Sequence, residues 1–120
     1  MRKDHVLIVE DDDDIRTVVA AVLQAEGYPV IEAVHGRDAL DKLRLAGGVC
    51  LIVLDLYMPT MNGRAFREAQ LKDPTIADIP VVVVSADPDA VKQALQLGVV
   101  ASMVKPVDFD RLLNVVGRYC

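Results

Sequence analysis

The stretch Leu51-Ile52-Val53-Leu54-Asp55 constrains the fold of this chain more than any other. An unbroken apolar run of strand length has no wet face. It reads as a strand covered on both sides, the habit of parallel sheets. The run stops at a carboxylate, and Leu56-Tyr57-Met58-Pro59 followed by Asn62-Gly63 turns the chain away. Asp55 is therefore expected at the carboxyl end of a central strand, where open α/β sheets bind their ligands. The core has no use for a carboxylate there, and burying one unpaired is costly.

The rest of the chain alternates in the same way. Val6-Leu7-Ile8-Val9 reads as strand 1 and ends in the acidic run Glu10 to Asp14. Ile15, Val18, Val19, Val22 and Leu23 recur at the spacing of one helix face, and Gly27 stops that helix. Strand 2 is expected from Tyr28 to Val34. Pro29 cannot donate to a ladder, so this strand belongs at an edge or begins near its proline. Helix 2 shows Ala39, Leu40, Leu43 and Ala46 on one face and ends at Gly47-Gly48. Helix 3 is expected from about Gly63 to Lys72, with a narrow face of Ala65, Phe66 and Ala69. Pro74 and Pro80 bracket a loop before strand 4, Val81 to Val84, which ends at Ser85-Ala86-Asp87. Pro88 suits a first helical turn. Ala90, Val91, Ala94 and Leu95 then form the inner face of helix 4, and Gly98 caps it. Strand 5, Val99 to Val104, ends at Lys105-Pro106, and helix 5 packs through Phe109, Leu112, Leu113 and Val116.

Five apolar strands alternating with five amphipathic helices predict an α/β fold, a doubly wound parallel sheet covered on both faces. With strand 2 at an edge, the expected order is 2-1-3-4-5. A length of 120 residues suits one domain, 1–120, and is too short for two. A net charge of -5 without a basic stripe argues against direct nucleic-acid binding. The longest apolar runs have strand length, so no membrane span is expected. Met1-Arg2-Lys3-Asp4-His5 leads into strand 1 without an apolar signal region. Cys50 and Cys120 make neither a disulfide framework nor a zinc spacing. Cys50 is expected to be a small core residue, and the chain to be reduced and cytoplasmic. His5 and His35 have no partners at ligand spacing and read as surface residues.

In this topology the polar residues converge. Strand 1 delivers Glu10, Asp11 and Asp12, strand 3 Asp55, strand 4 Ser85 and strand 5 Lys105, each at the carboxyl end of its strand. Clustered carboxylates repel one another unless a cation joins them. An all-oxygen donor set selects a hard cation of the Mg²⁺ type, which keeps waters that a phosphate can replace. A charged lysine cannot be a metal ligand, but it pairs with a phosphoryl oxygen. The Ser85 hydroxyl offers a donor to the same group. An anion site, a metal site and a carboxylate nucleophile together describe phosphoryl transfer onto an aspartate. Each residue alone has a plainer reading. An acidic run before a helix caps it, as expected for Asp13 and Asp14. An aspartate after a strand serves a turn, a serine before a helix caps it, and most lysines lie on the surface. The coincidence of four strand ends outweighs these readings.

Ile8-Val9-Glu10-Asp11-Asp12, Leu54-Asp55-Leu56-Tyr57-Met58-Pro59 with Asn62-Gly63, Val84-Ser85-Ala86 and Val104-Lys105-Pro106 together resemble the receiver domain of bacterial two-component response regulators. The resemblance covers essentially the whole chain, in order. The chemotaxis members of that family and flavodoxin share the order 2-1-3-4-5, so a flavodoxin-like fold is implied as well as reasoned. The resemblance implies that Asp55 is the phosphoacceptor. It makes Asp11 and Glu10 the Mg²⁺ ligand pair, with Tyr57 adding its backbone carbonyl. Ser85 would be the hydroxyl that turns toward the phosphoryl group, with the small Ala86 beside it. Lys105 would pair with the phosphate, and Lys105-Pro106 would be a cis peptide. The implied donor is a phosphohistidine on a sensor histidine kinase or histidine phosphotransfer protein. Helix 4, strand 5 and helix 5 would carry output to an effector or a second copy. One position departs from the pattern. Three residues before the lysine the family has an aromatic switch residue, and this chain has Ser102. The ring-based readout is therefore not carried over. Tyr57 and Asp87, each two residues past a site residue, are placed to tune phosphate lifetime.

The reading is a phosphoaccepting switch domain that modifies itself and hydrolyses the product slowly, and is not a turnover enzyme. Two alternatives stand beside it. One is a non-phosphorylated receiver-like interaction domain, which Ser102 keeps open although no landmark of the pocket is missing. The other is an Mg²⁺-dependent phosphohydrolase with an aspartyl nucleophile. Such enzymes commonly carry a second acid two residues after the nucleophile, where this chain has Tyr57.

Overall fold

Runs with no wet face must lie in the middle layer, and they do. The computed structural model describes residues 4–58 and 61–120; Met1, Arg2, Lys3 and Pro59 of the motifs above lie outside them. The elements are β1 (His5–Val9), α1 (Asp13–Ala25), β2 (Val30–Ala33), α2 (Gly36–Leu45), β3 (Val49–Asp55), α3 (Gly63–Leu71), β4 (Val81–Ser85), α4 (Pro88–Ala94), β5 (Ala101–Val104) and α5 (Phe109–Tyr119), with a 3₁₀ turn over Leu95–Leu97. All strand pairs are parallel, in the order β2-β1-β3-β4-β5. As its proline requires, β2 lies at an edge and begins after Pro29, whose carbonyl accepts from Val6 N–H at 2.9 Å.

Side chains alternate across the sheet. Leu7, Val9, Ile52, Leu54, Val81 and Val83 meet Leu40 and Leu43 of α2 and Phe66 of α3 on one face. Val6, Ile8, Leu51, Val53, Val82 and Val84 meet Leu23 of α1 and Leu112 and Val116 of α5 on the other. Each helix starts on a side-chain cap that accepts a backbone N–H: Asp12, His35, Asn62, Asp87 and Asp108 in chain order. Caps of this kind contribute about 1 kcal/mol each. His35 is thus not a plain surface residue, since its Nδ1 accepts from Asp38 N–H at 3.1 Å. His5 is half-buried in β1.

Three further expectations need correction. Val18 and Leu95 fall on apolar stripes yet are 51% and 65% exposed. The inner face of α3 includes two polar residues, Arg67 and Gln70, buried beside Phe66. Arg67 donates to the carbonyls of Leu97 and Gly98 and to Gln70 Oε1, while Gln70 donates to the carbonyls of Ile76 and Ile79. Their polar atoms are therefore satisfied, which is what makes their burial tolerable. Last, Cys50 and Cys120 are joined in a disulfide, with Cα atoms 5.5 Å apart. Closing a loop of that sequence separation, 70 residues, is worth about 4 kcal/mol in the chain-entropy account.

Candidate functional site

The parallel register brings the strand ends level. Val9 pairs with Leu54, Asp55 with Val84 and Ser85 with Val104. Glu10, Asp55, Ser85 and Lys105 therefore leave the sheet at one edge, each at or just past a strand terminus. Asp55 is 6% and Glu10 4% exposed, Ser85 is fully buried, and Asp11 is exposed at the rim.

One oxygen each from Glu10, Asp11 and Asp55 lies within 4.8 Å of the others. Lys105 Nζ enters this cluster, 2.5 Å from Glu10 Oε1 and 3.5 Å from Asp55 Oδ2. Burial pushes the Glu10 carboxyl above its ordinary pKa, and Asp55 beside it pushes the same way against the pull of Lys105. Burial works to lower the Lys105 pKa, but Glu10 and Asp55 outweigh it and the net direction is upward. Glu10 Oε2 is buried and has no hydrogen-bond partner. Lys105 meets only the other oxygen, so Oε2 is open to a further cation. Three oxygen donors beside it, with no sulfur or imidazole, fit a hard divalent ion of the Mg²⁺ type.

The other predicted residues divide. Tyr57 donates its backbone N–H to Asp55 Oδ1 at 3.3 Å. Its ring points outward, 58% exposed, and its hydroxyl donates to Asp87 Oδ2 at 3.1 Å. That bond to Asp87 raises the pKa of the phenol. It also links the loop after β3 to the loop after β4. Ser85 Oγ accepts from Asp87 N–H at 3.3 Å. The Lys105–Pro106 peptide is cis, as the resemblance implied, and Lys105 N–H donates to the Ser85 carbonyl at 2.8 Å. Asp12 caps α1 and does not join the cluster. Ser102 lies within β5 opposite Val83, away from the strand ends.

Two residues that the sequence reading did not assign to the site hold it in place. Arg16 donates to the Glu10 carbonyl at 2.8 Å and pairs with Asp13 and with Glu32 of β2. It fixes the turn that carries the acidic residues. The available signal was a cation three residues after an acid in a helix start. Gly63 lies against the backbone of the nucleophile candidate. A Cβ there would stand 2.4 Å from the Asp55 carbonyl oxygen and 2.7 Å from Leu56 Cα. Only glycine allows that approach.

Comparison with known proteins agrees with this fold. The family described as the response regulator receiver domain matches residues 6–117. The two-component response regulator ORR3 of Oryza sativa subsp. indica is 33% identical over 117 residues, covering 93% of this chain and 89% of that protein. The chemotaxis protein CheY of Treponema pallidum is 33% identical over 112 residues, covering 92% and 78%. Among solved structures, a response regulator receiver protein from Pseudomonas putida superposes with a TM-score of 0.91 at 27% identity, over 98% of both chains. The response regulator TrrA from Thermotoga maritima, solved in complex with Mg²⁺-BeF, superposes with a TM-score of 0.85 at 26% identity, over 98% of this chain and 99% of that one.

Proposed function

The chain belongs to the response regulator receiver domains of two-component systems, and from that premise we propose that residues 1–120 form one receiver domain with Asp55 as its phosphoacceptor. Domains of this family act as switches between histidine kinases and effectors. The observation that carries the assignment is the cluster itself: a buried aspartate at a strand end with two acids and a lysine converging on it.

A carboxylate oxygen of Asp55 attacks the phosphorus of a phosphohistidine. The P–O bond forms as the P–N bond breaks, and the electron pair returns to the donor imidazole. Glu10, Asp11, Asp55 and the Tyr57 carbonyl would hold Mg²⁺, which when bound supplies counter-charge to the phosphoryl oxygens. The Tyr57 N–H holds Asp55 Oδ1, and Oδ2, the oxygen that faces Lys105, is left to attack. Lys105 leaves Glu10 and pairs with a phosphoryl oxygen, and Ser85 turns its hydroxyl from the Asp87 amide to the same group. On this reading the domain catalyses its own phosphorylation, freeing the dephosphorylated donor, and slowly hydrolyses the acyl phosphate to regenerate Asp55 and free phosphate.

The donor is a sensor histidine kinase or histidine phosphotransfer protein, which puts the reaction in the cytoplasm. An apolar cleft of about 300 Å³ lies beside Lys105, lined by Ile15, Val18, Pro106, Val107 and Phe109. Its nearness to the pocket suits it to a donor helix, and Val18 is exposed because it borders that cleft. Output would pass through α4, β5 and α5.

Incubation with acetyl phosphate and Mg²⁺ tests the function. One stable phosphoryl adduct supports the switch domain. No adduct supports an interaction domain, and rapid multiple turnover supports a phosphohydrolase.

A further inference from the structure

The disulfide sits where the sheet breaks its own rule. In β3 the residues from Leu51 onward alternate between the two cores, Leu51 and Val53 toward α1 and α5, Ile52 and Leu54 toward α2 and α3. Strict alternation would send Cys50 to the α2 side. Cys50 instead packs on the α5 side, the same side as Leu51. The cause is a bulge. His5 pairs with Val49 and Val6 with Leu51, so Cys50 is the extra residue with no partner on β1. Bulges re-aim side chains, and this one aims Cys50 at Cys120, the C-terminal cap of α5.

The last turn of α5 carries one end of that link. Val116 is the final buried residue of the helix, and 117–120 are all exposed. Cys120 is thus the exposed residue of the pair, while Cys50 is half-buried. Exposed disulfides are the labile ones, and in reducing compartments such bonds are transient and redox-sensing.

We propose that Cys50–Cys120 is a reversible thiol–disulfide exchange site whose redox state sets whether the last turn of α5 is anchored to β3. The reductant is a dithiol. One of its thiolates attacks the Cys120 sulfur, the Cys50–Cys120 bond breaks, and Cys50 leaves as the thiolate and takes a proton. The second thiol of the reductant then resolves the mixed disulfide and releases Cys120 as a thiol. Two electrons and two protons pass from the dithiol, which becomes a disulfide. Glutathione disulfide, or the oxidised form of that dithiol, reverses the exchange. Asp55 lies at the opposite end of β3, so the bond acts on α5 without entering the phosphoryl pocket.

The 120-residue chain is equilibrated in glutathione buffers from reducing to oxidising, then alkylated and weighed intact, with amide exchange read over 115–120. The expected result is one reversible two-thiol transition. Exchange in the last turn should be roughly tenfold or more faster on reduction. Cys120→Ser, at an exposed position, should exchange fast in both buffers while its phosphorylation rate stays at the wild-type value. Overturning results are two alkylated thiols at the oxidising end, a bond that dithiothreitol opens only on unfolding, or equal exchange in both states.

Discussion

The ammonium of Lys105 lies 2.5 Å from Glu10, and Asp55 is farther from it, at 3.5 Å. In the unmodified domain this cation therefore serves chiefly as counter-ion to a carboxylate of the proposed metal site. It can reach a phosphoryl oxygen only by letting Glu10 go. A divalent ion on Glu10 and Asp11 would take over that role, so metal and lysine are partly interchangeable in the resting state.

Lys105→Met tests this exchange. Without Mg²⁺ the variant leaves two buried acids without their cation and should lose about 3 kcal/mol of stability. Mg²⁺ at ~100 times its dissociation constant should stabilise the wild type by about 2.7 kcal/mol, and the variant by more. Asp11→Ala should remove most of the wild-type gain. Melting temperatures with and without Mg²⁺, at matched ionic strength, check all three. Equal Mg²⁺ shifts in wild type and Lys105→Met would contradict the exchange.

Mg²⁺ affinity should depend on pH through Glu10. Burial and Asp55 raise its folded pKa, so the metal-free fold keeps this proton above the ordinary carboxylate range. A raised acid favours the metal-free fold below that pKa, and the benefit is lost as pH rises through it. Mg²⁺ needs the carboxylate, so its affinity should still be climbing above the ordinary carboxylate range, with proton release on binding. Titration calorimetry in buffers of different ionisation enthalpy reads both effects. A pH-independent affinity with no proton release would rule out Glu10 as a ligand.

Gly63→Ala should damage the site and lower stability together. The added methyl would meet the Asp55 carbonyl at 2.4 Å, so the Asp55 backbone or the start of α3 must shift. Overpacking of this kind costs about 1–3 kcal/mol. A displacement near 1 Å should slow phosphorylation by roughly 100-fold. Phosphorylation rate and denaturation midpoint are the measurements, and a variant with wild-type rate would show that this close approach is not needed.

The strands were legible because β3 and β4 are buried on both faces and leave continuous apolar runs. Their carboxyl-end residues followed, since parallel pairing brings those ends level. What stayed hidden depends on neighbours distant in sequence. Helical spacing marked Val18 and Leu95 as apolar but carried no information on what covers them. Arg67 and Gln70 look like exposed residues until α3 meets the carbonyls of Leu97, Gly98, Ile76 and Ile79. The Cys50–Cys120 bond depends on a bulge between β1 and β3, which no local pattern announces. Gly63 was legible as a turn residue, but its contact with Asp55 required the folded loop.

Ser102 should weaken the coupling between phosphorylation and the α4–β5–α5 surface. A signal shifts a conformational equilibrium only through differential contacts with its two states. A buried aromatic contributes on the order of 1.5–3 kcal/mol, and serine offers little apolar area. Backbone NMR with and without beryllofluoride, a phosphoryl mimic, should show small shifts around Val100 to Val104 in the wild type and larger ones in Ser102→Tyr. Large, equal shifts in both would mean that the surface switches without any ring here.

The central claim is that Asp55 accepts the phosphoryl group, and Asp55→Asn tests it most directly. The amide is nearly isosteric but a poor nucleophile, so the fold should persist while the chemistry stops. The measurement is intact mass after treatment with acetyl phosphate and Mg²⁺. The wild type should gain one phosphoryl group and Asp55→Asn none. A variant that still gains one phosphoryl group at the wild-type rate would contradict the assignment.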